Sequence, residues 1–364
     1  MSSSLIDDLM REAIGRGDFP GAALLVAKGG DVLHRGFYGN ATLLPKPEPA
    51  TESTLWDIAS LTKPLAAASL AMVSVREKGL SLSSAVSKLL PALDDEEKSK
   101  ITVRHLLKHT SGLPAWKPYY EEIARERPEL VGKRESRPVY VEKISAEALE
   151  APIAYRRIYS DLGFILLGIL LEEFWEKGLD DLFAEKIAGP LGLRNTFYVP
   201  VGAGSPRPYT EFAATERSEW RRGLIRGEVH DDNAYTLGGV AGHAGLFSTV
   251  DDLHAFADAF ARGHREGHAL FSKDIVDEFV GAKTSAKLGW DTPSPEGSQA
   301  GRYFSRHAIG HLGYSGGSLW MDLEKDFHVV LLTNRVHPTS QNEAIKAFRP
   351  KIHDLIFEEL IREK

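Results

Sequence analysis

Two stretches at opposite ends of the chain constrain the fold most. "GAALLVAKGGDVLHRGFYGNA" holds two apolar runs joined at Lys28-Gly29-Gly30-Asp31, and "GGSLWMDLEKDFHVVLLTNR" repeats the pattern with Glu324-Lys325-Asp326 at its centre. Apolar runs around a short polar or Gly-rich turn predict hairpins. Helical patterns flank them. Ser4 to Gly15 reads as an amphipathic helix, and the last stretch places Ile345, Phe348, Ile352, Leu355, Ile356 and Leu360 at helical spacing. Pro350 is expected to start or kink that last helix. The fold class that follows is α+β: an antiparallel sheet from both chain ends, flanked by helices, with a mostly helical lobe inserted. Ends that share one sheet argue for a single domain over 1–364, with an α/β lobe at about 1–59 and 290–364 and a helical lobe at about 60–289.

The inserted region carries helical patterns at Pro64 to Lys78, Val103 to His109, Asp161 to Glu176 and Val250 to Gly263. Trp116 to Arg157 is charged and weakly periodic, and Gly202 to Asn233 is rich in Pro and Arg. Long irregular stretches in a compact enzyme are more often walls of an active site than empty linkers. A chain of 364 residues with 43% hydrophobic content can fill one large core or two medium ones. Its 44 basic residues are scattered and the net charge is −7, which speaks against nucleic acid. With no cysteine, disulfides and thiolate chemistry are excluded. The longest apolar run, Phe164 to Leu171, is too short for a membrane span of roughly 20 residues. The N-terminus lacks the pattern of a secretory signal, so the expected compartment is the cytoplasm.

"DIASLTKPLAAASL" raises the chemical question, with Ser60 three residues before Lys63. A serine hydroxyl needs an adjacent base or cation to become a nucleophile. Residues three apart share a helix face, so both side chains can point into one pocket. Pro64 is tolerated only where a helix begins, which puts Ser60 at a helix N-terminus, where amides and dipole favour negative charge. Taken alone, the pair reads more simply as an N-cap and a solvated lysine.

Three further stretches change that reading: "RIYSDLGFILLGILLEE" with Tyr159-Ser160-Asp161, "TVRHLLKHTSGLP", and "GHLGYSGGSLWMDLE". Together with Ser60 to Lys63, in this order, they resemble the serine β-lactamase and penicillin-binding superfamily. The nearest branch is that of class C β-lactamases, β-lactamase-like esterases and D-alanyl-D-alanine carboxypeptidases. The resemblance implies a β-lactamase/transpeptidase-like fold and an acyl-enzyme on Ser60. It makes Lys63 the partner of that serine and Tyr159 a proton shuttle, which nearby cations should shift towards phenolate. The acylation base is left between Lys63 and Tyr159. His311-Leu312-Gly313 takes the place of the family's Lys-Thr-Gly strand. The implied oxyanion hole is the backbone amides of Ser60 and Tyr314. Lys283-Thr284-Ser285 fits the Lys-Thr-Gly pattern superficially but lacks the Gly-rich hairpin that follows His311.

Three departures bear on substrate. His311 replaces lysine and can be neutral near pH 7. Leu312 removes a hydroxyl that family members can aim at a substrate carboxylate. Asp161 replaces asparagine and, ionised, cannot donate an amide; it can pair with Lys63 and hold it protonated. Asp161, His311 and Gly313 are the expected substrate-binding residues. All three changes weaken anion or amide recognition and leave acyl transfer intact, which favours an esterase or amidase. The alternatives are a β-lactamase or D-alanyl-D-alanine carboxypeptidase, and a non-catalytic ligand-binding descendant. The expected partner is a small-molecule ester, amide or β-lactam, with no cofactor, metal, nucleic acid or membrane. His105 and His109, four apart, read as a helix end and not a metal site. In the Gly-rich stretch Glu228 to Thr249, His230, Asp231 and His243 are candidates for the pocket lining. Trp56, Trp116, Tyr119 and Trp290 read as core or pocket-wall packing.

Overall fold

The computed structural model describes residues 4–281 and 287–362. Eleven strands are found among them. The first hairpin is β1 (Gly21–Lys28) with β2 (Asp31–Thr42), followed by the short β3 (Glu48–Pro49). The middle of the chain adds β4 (Trp56–Asp57), β5 (Phe197–Tyr198), β6 (Ala214–Ser218), β7 (Gly223–Arg226) and β8 (Leu246–Ser248). The end supplies β9 (Ile309–Leu312), β10 (Ser318–Asp322) and β11 (Phe327–Thr333). The main sheet runs β3-β2-β1-β11-β10-β9, and smaller sheets are formed by β4-β8-β5 and β6-β7. β1 and β11 pair antiparallel from Ala22↔Thr333 to Lys28↔Phe327, so the first and last hairpins are joined as the sequence predicts.

Side-chain alternation splits the core. Leu24, Val26, Val329 and Leu331 face the terminal helices Ser4–Gly15 and Ile345–Ile356, meeting Ile6, Met10, Phe348 and Ile352. Ala23, Leu25, Val330 and Leu332 face the other way, into a larger core with the helix Val250–Arg265. Each fully buried Leu, Ile or Val contributes about 1.5–3 kcal/mol. Pro350 does not start the last helix; it lies inside it. Without an N–H, it leaves the carbonyl of Lys346 free, and Gln299 Nε2 donates to that oxygen at 2.9 Å.

The helix Asp161–Trp175 is buried from Leu162 to Glu172, which explains why its sequence is apolar on every side. Against it, glycine is required for backbone contact. A Cβ on Gly242 would lie 2.3 Å from the Phe164 carbonyl oxygen, and one on Gly168 would lie 2.7 Å from the Gly242 nitrogen. The two "irregular" stretches do hold structure: helices Tyr119–Glu126 and Arg137–Ala146 in the first, and the β6–β7 hairpin in the second.

Candidate active site

The segment around Ser60 is short and tightly turned. β4 ends at Asp57, a 3₁₀ turn covers Ala59–Leu61, and a helix begins at Lys63 with Pro64 in its second position. The opening Lys63–Ala68 turn is wound as a π-helix, a geometry frequent at functional sites. Ala59 has φ 47°, a left-handed conformation that is costly for a residue with a Cβ. Lys63 Nζ donates to Ser60 Oγ at 2.9 Å, as the three-residue spacing predicts.

Lys63 is completely buried and its charge is fully engaged. Its Nζ lies 2.7 Å from Asp161 Oδ1 and donates to the His243 carbonyl at 3.2 Å. The Gly168–Gly242 approach is what brings that carbonyl within reach. Burial disfavours the ammonium, but the carboxylate of Asp161 beside it leads the contacts that outweigh burial and leave the Lys63 pKa raised. Asp161 opens the helix that Ser160 caps, where Ser160 Oγ accepts from Gly163 N at 3.1 Å. A carboxylate at this position is also favoured by the helix dipole.

Tyr159 hydrogen-bonds to both Lys63 and Ser60, and Lys63 Nζ lies 4.9 Å from its ring centre. The expectation of a phenolate is corrected here. Burial pushes the phenol pKa up, and the pull of Lys63 does not overcome it. Lys63 cannot offer a lone pair while Asp161 holds it charged, so the site at rest contains an ammonium and a neutral phenol. Behind Tyr159 lies His109, 4.6 Å away between ring centres, with Nδ1 accepting from Ser160 N at 3.0 Å. Burial holds its pKa well below the usual imidazole range.

β9, the edge strand of the main sheet, carries His311 beside Tyr159, with ring centres 5.9 Å apart. His311 Nδ1 lies 2.9 Å from the Leu312 carbonyl, and a carbonyl can only accept, so this nitrogen bears the proton. Burial lowers its pKa, leaving a neutral ring whose buried Nε2 has no partner among the described residues. Gly313 allows the strand end to close on the nucleophile segment, since a Cβ there would meet the Ile58 carbonyl oxygen at 2.7 Å. The amides of Ser60 and Tyr314 find no protein acceptor among the described residues. Lys283-Thr284-Ser285 lies outside the described residues.

These groups open onto a cavity of about 760 Å³. Ser60, Tyr159, Asp161, His311, Gly313 and Tyr314 all line it. Trp116, Tyr120, Glu216 and Ser218 come from the two long stretches expected to form walls. His230 and Asp231 are also in the lining; His243 lies behind them, buried, with Nε2 2.9 Å from Asp231 Oδ1. Trp56, Tyr119 and Trp290 are core residues. His105 Nδ1 accepts from Thr102 N at 3.2 Å, closing a helix cap, so it and His109 have separate structural partners. No group of three or more His, Asp or Glu placed to hold a metal occurs among the described residues. None of their helices is long and apolar enough to cross a membrane.

Sequence reasoning missed three contributors. Arg335 and Arg349 line the cavity from positions with no motif around them. Asp57 is the third, buried beside the Ser60 turn, and its only signal is its place at the head of the Ser60 motif.

Comparison with known proteins speaks to the family and the fold. The family model described as "Beta-lactamase" matches residues 6–350. A Bacillus subtilis (strain 168) protein named N-acetylmuramyl-L-alanine amidase is 32% identical over 365 residues, covering 91% of this chain and 80% of its own length. Among solved structures, EstCE1, a hydrolase with promiscuous acyltransferase activity, superposes with TM-score 0.71 at 20% identity, covering 95% of this chain and 98% of that one. A class C beta-lactamase superposes with TM-score 0.73 at 19% identity, covering 99% and 97%. Matched along nearly its whole length, the chain belongs to the beta-lactamase family, with the fold and hydrolase ancestry that this implies.

Proposed function

We propose that this protein is a serine hydrolase that forms an acyl-enzyme on Ser60 and cleaves ester or amide bonds of small acyl substrates. The observation that carries the reading is the fixed contact of Ser60 Oγ with a lysine ammonium that Asp161 clamps at 2.7 Å, in the wall of a substrate-sized cavity. In this reading Ser60 Oγ bonds to the substrate carbonyl carbon as the carbonyl electron pair moves onto oxygen, received by the Ser60 and Tyr314 amides. Tyr159 takes the serine proton and passes its own to the leaving group as the bond to that group breaks. A phenol can do both in one relay without first becoming phenolate, which suits its raised pKa. Water then attacks the acyl carbon, gives a proton back through Tyr159, and releases Ser60.

His311 supports a substrate without a carboxylate on that side. A neutral ring offering a lone pair gives an anion nothing to bind. A penicillin-recognising reading has one observation in its favour: Arg335, Lys346 and Arg349 also line the cavity, and a carboxylate could reach these instead. The amidase name of the Bacillus subtilis relative adds weight to amide substrates.

Intact-protein mass after brief incubation with a short-chain activated ester, and separately with a penicillin, tests the proposal. A Ser60-dependent adduct or turnover with the ester, absent in Ser60→Ala, is expected. A penicillin adduct would move the protein to the second reading. No Ser60-dependent reaction with either would overturn the hydrolase assignment.

A further inference from the structure

A single buried residue holds both segments that carry the paired amides. Asp57, 3% exposed, ends β4. Its Oδ1 accepts from Ala59 N at 2.8 Å and its Oδ2 accepts from His230 N at 2.7 Å. Its main-chain carbonyl accepts from Ser315 Oγ at 2.7 Å. Ala59 directly precedes Ser60, and Ser315 directly follows Tyr314. The His230 contact reaches the same place by another route, because the His230 ring stacks on the Tyr314 ring at 5.7 Å with planes 19° apart.

We infer that Asp57 is a positioning residue that sets the separation and aim of the Ser60 and Tyr314 amides. The inference rests on the acyl-enzyme reading above. Three features of the geometry point this way. The Ala59 turn is strained at φ 47°, and a strained turn persists only where its surroundings over-determine it. The Oδ1 contact ties the amide of that residue. The Ser315 contact crosses from the sheet edge to the nucleophile segment, two parts of the chain 258 residues apart. Finally, two backbone N–H groups need two acceptor oxygens. A carboxylate supplies both, whereas asparagine would turn an NH₂ towards one of them. Asp57 touches neither substrate nor Ser60 Oγ in this scheme; it acts through the backbone.

The test is phosphonylation of Ser60 by an alkyl fluorophosphonate. The Ser60 oxygen bonds to phosphorus, fluoride leaves, and the serine proton passes to solvent. The adduct's P=O oxygen then occupies the space before the two amides. In Asp57→Asn the labelling rate is expected to fall about 10- to 100-fold, less than the roughly 10²- to 10³-fold cost of removing one such donor outright. The ³¹P resonance of the adduct should also move towards its position in the denatured adduct, a change that a general loss of stability would not produce. Ser315→Ala, which keeps the carboxylate, should give the same ³¹P shift in smaller measure with a rate loss of a few-fold, and it decides the matter should Asp57→Asn not fold. Labelling within threefold of wild type with an unmoved ³¹P resonance overturns the inference alone. Failure of the wild-type protein to label at Ser60 overturns the acyl-enzyme reading and the inference with it.

Discussion

The two sides of the cavity are built differently. On one side, Lys63 is out of water entirely, and its ammonium contacts Ser60, Asp161, Tyr159 and the His243 carbonyl. On the other, Trp116 and Tyr314 are 46% and 55% exposed, and Tyr120, Glu216 and His230 are partly so. Each group on the first side depends on the rest, because removing one leaves a buried charge or donor uncompensated. Groups on the second side can be removed and replaced by water. The first side should therefore govern kcat and pH dependence, and the second should govern KM.

Ser60→Ala should have the largest effect, lowering kcat by at least about 10³-fold while leaving the thermal midpoint nearly unchanged. Residual turnover close to wild type would place the nucleophile elsewhere. Asp161→Asn comes next. It strips Lys63 of the charge that outweighs its burial, so the lysine pKa falls and the alkaline limb of the pH–rate profile moves to lower pH. Stability should drop by about 3 kcal/mol, the lower end of the cost of breaking a buried pair, because Asp161 keeps partial contact with solvent. The sign follows from linkage. A lysine whose folded pKa is raised contributes stability that is complete below its unfolded value, near 10.4, and is lost as pH rises through the folded value. The gap between wild type and variant in chemical denaturation should thus be largest near neutrality, begin to close as pH rises through the variant's lowered lysine pKa, and vanish above the raised wild-type value. An unmoved profile with an unchanged gap would remove Asp161 from the lysine's control.

His311→Lys tests whether recognition of an anion was lost at this strand. A restored cation should raise acylation by a penicillin about tenfold relative to a neutral ester, roughly the worth of one charge-assisted contact. Equal rates would assign the carboxylate, if any, to Arg335 or Arg349. Trp116→Ala is the mildest change and the clearest probe of the exposed side. KM for a ring-bearing ester should rise about fivefold, near 1 kcal/mol, with kcat unaltered. A matching fall in kcat would break the division between the two sides.

The sequence carried the reaction side better than the recognition side. Ser60 and Lys63 sit three residues apart, so a local helical rule put them on one face, and the three further motifs turned an N-cap reading into a nucleophile reading. Tyr159 and Asp161, at the start of an apolar helix, were singled out by their resemblance to the family's Tyr-x-Asn motif. The β6–β7 hairpin gave no such signal, since "ATERSEWRRGLIR" lacks clean alternation and its strands are held by packing against distant segments. The helices Tyr119–Glu126 and Arg137–Ala146 are short and charged, with few buried positions to mark a face. The state of Tyr159 was misjudged for a related reason. The count of nearby cations can be read from a motif, but the burial that outweighs them cannot.

By itself, then, the sequence determined the terminal hairpins, the helices that cover them, the nucleophile motif and the family. The hairpins and helices rest on local periodicity, the Ser60–Lys63 pair on short-range spacing, and the family on the resemblance of four ordered motifs to a known superfamily; a chain keeps all of these whatever surrounds it. Tertiary structure alone decided that Asp161 closes on Lys63, that His311 is neutral with an open Nε2, that the Gly168–Gly242 contact brings the His243 carbonyl to the lysine, and that Asp57 joins the Ser60 and Tyr314 segments. Each of these depends on distance through space and on exclusion of water, and neither quantity exists until residues far apart in the chain are packed together.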